Sequence, residues 1–485
     1  MTQQELEKYL WGAATYLRGT IDAGDYKQYI FPLLFFKRIS DVYDEEYELA
    51  LKESNGDLEY AAFEENHRFQ IPDGAHWKDV REVTVNVGIA IQAAARAIEK
   101  ANPDTLYGIF GDSSWTNKDR LSDEILTNLI EHFSKHSLNN TNVPSDQLGD
   151  AYEYLIKQFA DDSGHTAAEF YTNRTVVRLM TLIMDPQPGE SVYDPTCGSG
   201  GLLLNCALQL KVAGKEYRTL KLYGQEINLI TSAIARMNMF MHGIEEFDII
   251  RDDTLANPGF IEYDELKKFN MILANPPYSI KRWDQKSFEN DPYGRNMWGT
   301  PPPGRADYAF QQHIHNSMNE ENGRCAILWP HGILFRDAEM EMRKRLIKTD
   351  TVEAVIGLGA NLFYNSPMEA MILVCNTNKP DERKNKVLFI DGINDVVNEK
   401  GNAYLTEDHI QKLYGAYKKY SDIPGFAKIV TIDEIMQNNG NMNISFYVKR
   451  NNEKSTMSFN KIYDEWKTSS DNLSKSMNEL FEMVK

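Results

Sequence analysis

The sequence contains few cysteines and no long apolar run. Its four cysteines, among 485 residues, form no Cys-x-x-Cys pair, so we expect free thiols in a reducing compartment rather than disulfides or a zinc site. No apolar stretch approaches the roughly 20 residues needed to cross a membrane. The first residues have neither the basic nor the apolar segment typical of a secretory signal. We therefore expect a cytoplasmic protein with no metal site and no membrane partner.

The sequence is also poor in positive charge. It has 52 Lys and Arg residues against 71 Asp and Glu residues, a formal net charge of −19, and residues 41–66 alone contain ten acids and one lysine. Contacts of Lys and Arg with phosphate provide most of the non-specific affinity of a protein for nucleic acid. Two interpretations stay open: the substrate is not nucleic acid, or a basic partner protein provides most of the affinity for nucleic acid.

The common nucleotide-binding motifs are absent, but a different glycine-rich turn is present. The chain has no Gly-x-Gly-x-x-Gly motif and no phosphate loop ending in Gly-Lys-Ser/Thr. Instead, a glycine-rich turn lies between the apolar run 191–193 and the helix-like run 202–208. Glycine lets the backbone approach a ligand closely, and the start of a helix provides free N–H groups. The turn predicts a cofactor site formed by Asp194, Gly198, Ser199, Gly200 and Gly201.

Two further acids follow strand-like segments. Glu226 comes after the run 221–225, where a carboxylate can accept hydrogen bonds from both hydroxyls of a ribose. Asp253 comes after the run 248–251, where a carboxylate can accept from an adenine amino group. Each acid alone is typical of a solvated strand end. In series after successive strands, they indicate one edge of a cofactor site.

The most informative segment is Asn275-Pro276-Pro277-Tyr278, which follows the apolar run 271–274. The side-chain oxygen of Asn275 and the carbonyl of Pro276 can accept hydrogen bonds from both N–H groups of a planar amino group. These hydrogen bonds free the lone pair of the nitrogen for methylation by S-adenosylmethionine. The prolines fix φ at about −65° and remove competing donors. Tyr278 offers a face on which a base stacks, and a base in a duplex must first be flipped out. A proline turn with an incidental tyrosine is the alternative, which the upstream glycine turn disfavours.

The pattern of apolar residues predicts the fold. Residues 145–450 alternate strand-like and helix-like segments, as in a Rossmann-like, doubly wound α/β sheet whose ligands bind at the carboxyl ends of the strands. Residues 1–140 have apolar side chains at helical spacing and predict an all-helical domain, with Lys37 and Arg38 on its solvated surface. The polar segment 139–146 is a candidate linker between the two.

The last part of the chain carries a heptad pattern. We expect residues 456–485 to form a helix that packs either on its own domain or on another subunit. The seven-residue spacing is that of Phe459, Trp466, Leu473 and Leu480.

The order of glycine turn, two acids and Asn-Pro-Pro-Tyr resembles that of amino-group DNA methyltransferases. More narrowly, the chain resembles the modification (M) subunits of type I restriction–modification systems. The resemblance covers most of the chain and extends to the segments 307–310, 326–335 and 361–364. Asn173 stands where the family usually has proline in its Gln-Tyr-Phe-Thr-Pro-Arg stretch. The residues that match this stretch are Glu169, Phe170, Tyr171, Thr172, Asn173 and Arg174.

The resemblance implies methylation of adenine N6, with S-adenosylmethionine as the cofactor and an adenine flipped out of double-stranded DNA as the substrate. It implies that residues 169–174 touch the methionine end of the cofactor. It further implies that Phe363, rather than Tyr364, faces the flipped base together with Tyr278. A specificity (S) subunit would supply the target sequence, with two M per S. Because the chain has no Walker motif, any ATP-driven cleavage would belong to a separate restriction (R) subunit.

The insertion 279–305, directly after Tyr278, is rich in Pro, Gly, Trp and basic residues. Segments of this length inside a domain are usually functional or disordered. We expect the insertion to close over DNA and to become ordered on binding it.

Three alternatives stay open from the sequence. A protein-glutamine methyltransferase also uses Asn-Pro-Pro-Tyr on a planar amide, although the long N-terminal helical region and the insertion argue against it. Cytosine-N4 methylation is a nearer alternative. A non-catalytic assembly scaffold with a vestigial pocket is the third, and the intact motifs disfavour it.

Overall fold

The computed structural model describes residues 1–162, 171–363, 368–399, 402–449, 463 and 466–470. A group of N-terminal helices is followed by a large, mostly parallel sheet with helices on both faces. This confirms the predicted class, a Rossmann-like doubly wound α/β sheet with an N-terminal helical region.

The N-terminal helices begin with a capped first turn. The Thr2 hydroxyl accepts a hydrogen bond from the Glu5 N–H (3.3 Å), and the Glu5 carboxylate accepts one from the Thr2 N–H (2.8 Å), so two N–H groups that the helix itself leaves open are satisfied. The second helix is the longest and is buried over most of its first half. The helices are α1 (Gln3–Gly12), α2 (Lys27–Glu53), α3 (Leu58–Ala61), α4 (Trp77–Arg81), α5 (Val87–Ala101), α6 (Pro103–Leu106), α7 (Asp123–Phe133) and α8 (Ser145–Asp162).

Thirteen strands occur in the described residues, and nine of them form one sheet. The order across the sheet is β13-β10-β8-β9-β7-β6-β1-β2-β3, in which β9 and β13 run antiparallel to their neighbours. The strands are β1 (Ser191–Asp194), β2 (Lys221–Glu226), β3 (Phe247–Arg251), β4 (Ile261–Glu262), β5 (Glu265–Leu266), β6 (Met271–Ala274), β7 (Arg324–Pro330), β8 (Val352–Leu358), β9 (Ala370–Asn376), β10 (Lys386–Gly392), β11 (Val397–Glu399), β12 (Asn402–Tyr404) and β13 (Ala427–Thr431).

Helices cover both faces of this sheet, so its central strands are continuous apolar runs rather than alternating ones. In β6, for example, Leu273 packs into the core on one face, while Ile272 and Ala274 pack into the core on the other. The covering helices are α9 (Arg174–Met184), α10 (Gly201–Val212), α11 (Leu229–Met241), α12 (Gln285–Glu289), α13 (Asp307–Ser317), α14 (Met340–Lys348), α15 (Glu407–Lys419), α16 (Ile432–Gln437) and α17 (Ile444–Tyr447).

The N-terminal helices and the sheet share a hydrophobic core. The ring of Phe240, on α11, lies 6.0 Å from that of Phe35 and 5.2 Å from that of Phe69. Arg236, on the same helix, donates to the carbonyls of Tyr107 and Thr105, each at 2.6 Å. The predicted boundary near residue 145 places helix α8 in the α/β domain. Helix α8 packs against α1 of the N-terminal region as well as against α11. The boundaries 1–140 and 145–450 stay predictions.

The candidate linker is held against α2 by a buried arginine. Arg38 is 6 % exposed and donates to the carbonyl of Val143 (3.0 Å), to that of Leu138 and to the side-chain oxygen of Asn140 (2.6 Å). Lys37 is buried as well and pairs with Asp41. The expectation that Lys37 and Arg38 are solvated is therefore wrong, because the turn-rich segment 138–146 offers carbonyl groups that need donors.

The predicted C-terminal helix, residues 456–485, falls largely outside the described residues, and with it Phe459, Leu473 and Leu480. Residues 466–470 are helical, and Trp466 is 63 % exposed. Within the described parts of the chain, every helix is too short or too polar to cross a membrane.

Replacing Arg38 with Leu should lower the free energy of unfolding by about 3 kcal/mol, because buried carbonyl groups lose a charged donor. Arg81→Leu is the matched control: it removes an arginine whose ion pair with Glu131 is about half exposed (48 % for both side chains). Such a pair contributes about 0–1 kcal/mol. Urea unfolding followed by circular dichroism measures both variants, and equal losses would contradict the role given to Arg38.

Candidate active site

The glycine turn and the Asn-Pro-Pro-Tyr segment lie side by side. Strand β1 pairs with β6 in parallel, with Val192 opposite Met271 and Tyr193 opposite Ile272. From β1 the chain proceeds to β2 and β3 on one side, whereas β6 leads to β7 on the other. The site is therefore at the point where the strand order reverses, the usual place for ligands in such sheets.

The glycine turn has a backbone that other residues would not adopt readily. Gly198 and Gly200 have φ values of +54° and +80°, in the left-handed region. A Cβ atom on Gly201 would lie 1.8 Å from a guanidinium nitrogen of Arg174. The backbone at the start of α10 therefore lies close against Arg174, where a larger residue would not fit.

A buried polar network fixes this turn from behind. Asn238, on α11, donates to the carbonyl of Ser199 (3.0 Å) and to the carboxylate of Glu153 (2.6 Å), which belongs to α8. Glu153 also pairs with Arg174. Sequence reasoning missed Glu153 and Asn238, since an acid and an amide inside amphipathic helices give no local signal of this role. The network connects the N-terminal helices to the turn.

Two carboxyl groups meet at the end of β1 and β2. Glu226 accepts from the N–H groups of Gly198 (3.1 Å) and Asn228 (2.8 Å), so it lies against the glycine turn as predicted from its place after β2. Asp194 is 1 % exposed and accepts from the Thr196 N–H (3.0 Å). Burial raises the pKa of Asp194 to about 8, and the charge of Glu226 adds to the rise. Burial also raises the pKa of Glu226.

Asp253 is in the turn that follows β3. One of its carboxylate oxygens accepts from the N–H groups of Leu255 (2.9 Å) and Ala256 (3.2 Å). This hydrogen bonding fixes the carboxylate in orientation and gives Asp253 a structural role that the sequence did not show. A carboxylate oxygen has more than one lone pair, so these bonds leave acceptor capacity for a ligand.

The predicted stretch 169–174 is described from Tyr171 onward, and Glu169 and Phe170 lie outside the described residues. The Thr172 hydroxyl accepts from the side-chain amide of Asn275 at 3.1 Å, which brings this stretch into contact with the Asn-Pro-Pro-Tyr segment. The guanidinium of Arg174 lies 4.5 Å from the centre of the Tyr171 ring. Burial raises the pKa of Tyr171 to about 12.

Asn173 caps helix α9. Its side-chain oxygen accepts from the Thr175 N–H (3.0 Å) and the Thr175 hydroxyl (2.7 Å), while its amide donates to the carbonyl of Ala403 (2.6 Å). An asparagine at this position is a strong N-cap. Hydrogen bonds at the start of α9 thus take the place of the proline ring that the resemblance leads one to expect.

The side chains of Asn275 and Tyr278 contact each other. The Tyr278 hydroxyl donates to the side-chain oxygen of Asn275, the acceptor predicted to bind the amino group. Burial, with the charge of Asp307 adding to it, raises the pKa of Tyr278 well above its ordinary value, so the phenol stays a neutral donor. Pro276 is buried and Pro277 is exposed.

The two predicted stacking aromatics, Tyr278 and Phe363, are in contact. Their ring centres are 4.7 Å apart and the ring planes are inclined at 61°, an edge-to-face arrangement. A planar base between two parallel rings needs them roughly 7 Å apart, at about 3.5 Å for each contact. As they stand, the two rings leave no space for a base between them. Tyr364 lies outside the described residues.

Asp307 was not predicted as a site residue, yet it fixes the end of the Asn-Pro-Pro-Tyr segment. Its carboxylate is fully buried and accepts from the N–H of Ser279 (2.7 Å), which follows Tyr278 and has a φ of +50°. Arg336 pairs with the other oxygen of Asp307 and also with Glu339 (2.7 Å). The resemblance in sequence included Asp307 only as part of the segment 307–310.

The insertion 279–305 is packed on the protein, contrary to the expectation that it orders only on binding. Phe288, Arg295 and Trp298 are each 5 % exposed or less. Arg305, at its end, is partly buried, and three basic residues in its first part are exposed: Lys281, Arg282 and Lys286.

Two family models match the chain. The model described as N-6 DNA Methylase matches residues 143–456, and the model described as HsdM N-terminal domain matches residues 6–133. Both matches agree with the family resemblance noted in the sequence.

Curated proteins and solved structures agree with these matches. The chain is 33 % identical to the MjaVIII type I restriction enzyme methylase subunit of Methanocaldococcus jannaschii over 91 % of its own length and 78 % of the relative's. It is 30 % identical to the MpnII methylase subunit of Mycoplasma pneumoniae, covering 93 % and 90 % of the two chains. The crystal structure of the type I methyltransferase subunit from Streptococcus thermophilus superposes with a TM-score of 0.78, at 31 % identity, over 93 % of this chain and all of that one.

Asp194 should make the protein less stable as the pH rises. Between its ordinary pKa of 3.8 and the folded value of about 8, the folded protein holds a proton that the unfolded chain has released, so stability present below pH 4 is lost as the pH approaches 8. Asp194→Asn keeps an oxygen for the Thr196 N–H but cannot ionise. We expect the variant to gain stability over wild type more at pH 8 than at pH 6 in urea unfolding. An equal difference at both pH values would contradict this.

Proposed function

The chain belongs to the N-6 DNA methylase family, among the methylase subunits of type I restriction enzymes, and on this premise we propose its reaction and its site. The methyl group of S-adenosylmethionine is transferred to N6 of an adenine that has been flipped out of double-stranded DNA. The observation that carries the proposal is the hydrogen bond between Asn275 and Thr172, because it joins the amine-binding segment to the cofactor side of the site.

The shape of the cofactor side fits S-adenosylmethionine. Gly198 and Gly200, both in the left-handed region, turn the backbone between Asp194 and the start of α10, and the N–H of Gly198 donates to Glu226. Glu226 would accept from the ribose hydroxyls, and Asp253, after β3, from the adenine amino group. Residues 171–174 would hold the methionine end.

S-adenosylmethionine supplies an activated methyl group, so the protein needs only to prepare the amine. Asn275 would accept one N–H of the adenine amino group in place of the Tyr278 hydroxyl, which now occupies that oxygen. The carbonyl of Pro276 would accept the other. Asp307 holds the backbone after Tyr278 in position, so both acceptors stay aimed at the same point. Hydrogen bonds from both N–H groups to these acceptors would direct the nitrogen lone pair toward the methyl donor. The nitrogen would take the methyl group from the sulfonium, leaving a neutral thioether, and would then release one proton.

Tyr278 and Phe363 would stack on the flipped base. Stacking on an aromatic ring contributes roughly 1–3 kcal/mol per base, similar to the cost of removing the base from the duplex. Phe363 would move from its contact with the edge of Tyr278 to a position parallel with the base.

A specificity subunit would provide most of the DNA contacts. The net charge of −19 is unfavourable for a subunit that binds DNA without a partner. The insertion next to the site exposes only a few basic residues, such as Lys281, Arg282 and Lys286. We propose assembly of two M subunits with one S subunit, and a separate restriction subunit for any cleavage. The C-terminal segment, with Tyr463 and Trp466 exposed, would contact the S subunit.

The reaction is tested by transfer of labelled methyl groups from S-adenosylmethionine to unmethylated DNA, with the S subunit of the same locus present or absent. We expect label in N6-methyladenine only when S is present, and a loss of at least about 100-fold in Asn275→Ala, since removing one donor or acceptor of a transition state costs about 10²–10³ in rate. Sedimentation of the M–S mixture gives the stoichiometry.

Asn378→Ala is the control, because it removes an exposed asparagine in the turn after β9, at the edge of the sheet opposite the site. Label in protein glutamine, or in cytosine N4, would replace the proposal with one of its alternatives. Cofactor binding without transfer to any acceptor would favour an assembly scaffold.

Phe363→Ala should weaken capture of the flipped base. With 2-aminopurine at the target position, the fluorescence of the flipped base should rise on binding to the M–S complex, and this rise should fall at least severalfold in the variant because one stacking face is lost. Tyr263→Ala, which removes a fully exposed tyrosine in the turn between β4 and β5, is the control. An unchanged rise in Phe363→Ala would contradict the stacking role.

A further inference from the structure

We propose that Arg295, in the insertion after Tyr278, is a positioning residue for the cofactor. It would hold the turn that carries Asp253, so that cofactor binding is coupled to the packing of the insertion. This inference rests on the proposed function, because it takes the turn after β3 to be the adenine side of the S-adenosylmethionine site.

Arg295 is buried, and both terminal nitrogens of its guanidinium reach this turn. It is 2 % exposed, and its two terminal nitrogens donate to the carbonyls of Thr254 and Leu255, each at 2.9 Å. Its Nε donates to Asp291 at 2.8 Å, which fixes the orientation of the planar group. Two parallel donors from one rigid group hold two neighbouring carbonyls at a set spacing, which a lysine cannot do.

The same turn connects to both other parts of the cofactor side. The carboxylate of Asp253 accepts from the N–H of Leu255 (2.9 Å), so the residue that Arg295 holds also orients Asp253. The hydroxyl of Thr254 donates to the carbonyl of Pro195 (2.5 Å), inside the glycine turn. Arg295 therefore acts on the cofactor side through Thr254 and Leu255 without touching the ligand.

The surroundings of Arg295 leave it little freedom to move alone. His313 lies 3.5 Å from one of its terminal nitrogens and 3.0 Å from the hydroxyl of Tyr193 on β1. Burial and the charge of Arg295 lower the pKa of His313 well below its ordinary value, so His313 remains neutral. The ring of Phe288, from the same insertion, is 5.6 Å from the guanidinium. A shift of the insertion must therefore shift the turn after β3.

This arrangement has a consequence for the exposed part of the insertion. The insertion that contains Arg295 also contains the exposed basic residues Lys281, Arg282 and Lys286. DNA that contacts these residues would therefore stabilise the segment that holds the turn after β3. Because binding free energies are reciprocal, a cofactor that stabilises the insertion must itself bind more tightly when the insertion is stabilised by DNA.

The test compares Arg295→Lys with Arg38→Lys, since both replace a buried arginine that donates to backbone carbonyls, and Arg38 is in the N-terminal helices away from the site. Calorimetric titration of the full-length protein with S-adenosylmethionine measures affinity, and thermal unfolding measures stability. We expect at least a tenfold increase in Kd for Arg295→Lys and less than a twofold change for Arg38→Lys, at comparable losses of thermal stability.

Hydrogen exchange of the wild-type protein gives a second measurement that needs no variant. S-adenosylmethionine should slow the exchange of backbone amides in residues 288–298, and this protection should be absent in Arg295→Lys. Unchanged affinity in Arg295→Lys, equal losses of affinity in both variants, or no protection of residues 288–298 in wild type would overturn the inference. A wild-type protein that binds no S-adenosylmethionine would overturn the proposed function as well.

Discussion

The parallel pairing of β1 with β6 is the constraint on which the site depends. The two strands are neighbours in space although 76 residues separate the end of one from the start of the other. Because parallel strands end at the same edge, the glycine turn and Asn275 meet without any specific long-range contact between them. The remaining polar contacts refine this placement: Thr172 contacts Asn275, and Asp307 holds Ser279.

Buried charged groups in this protein mainly organise backbone. Arg38 and Arg295 donate to carbonyls of irregular segments, while Asp307 and Glu226 accept from N–H groups of turns. Irregular segments inside a protein have polar groups that no helix or strand satisfies, and leaving such groups without partners is costly. Placing a charged side chain there gives strong hydrogen bonds and also makes the shape of each segment depend on one residue.

The fold and the placement of the motifs could be predicted because they follow from apolar runs and from the residues at their ends. The place of Glu226 beside the glycine turn was predicted in this way, since an acid at the end of a strand lies at the edge of the sheet. The burial of Arg38 could not be predicted, because a basic residue in an amphipathic helix is ordinarily expected to face solvent. The carbonyl groups that it binds lie about 100 residues later in the chain. The hydrogen bonds of Asp307 and Arg295 to distant backbone groups were not predicted, for the same reason. Asn173 shows a partial success: its position was recognised, but its role as an N-cap required the structure.

For the proposed reaction, the hydrogen bond from Tyr278 to Asn275 has a consequence for how the site would discriminate among bases. The acceptor oxygen is already satisfied by a neutral phenol, so an incoming amine exchanges one hydrogen bond for another and gains little net energy from it. A ligand held only by that oxygen would not displace the phenol. In the proposed reaction, selectivity would therefore come from the fit of the whole ring between its neighbours, and flexible or non-planar amines would be excluded by shape rather than by polarity.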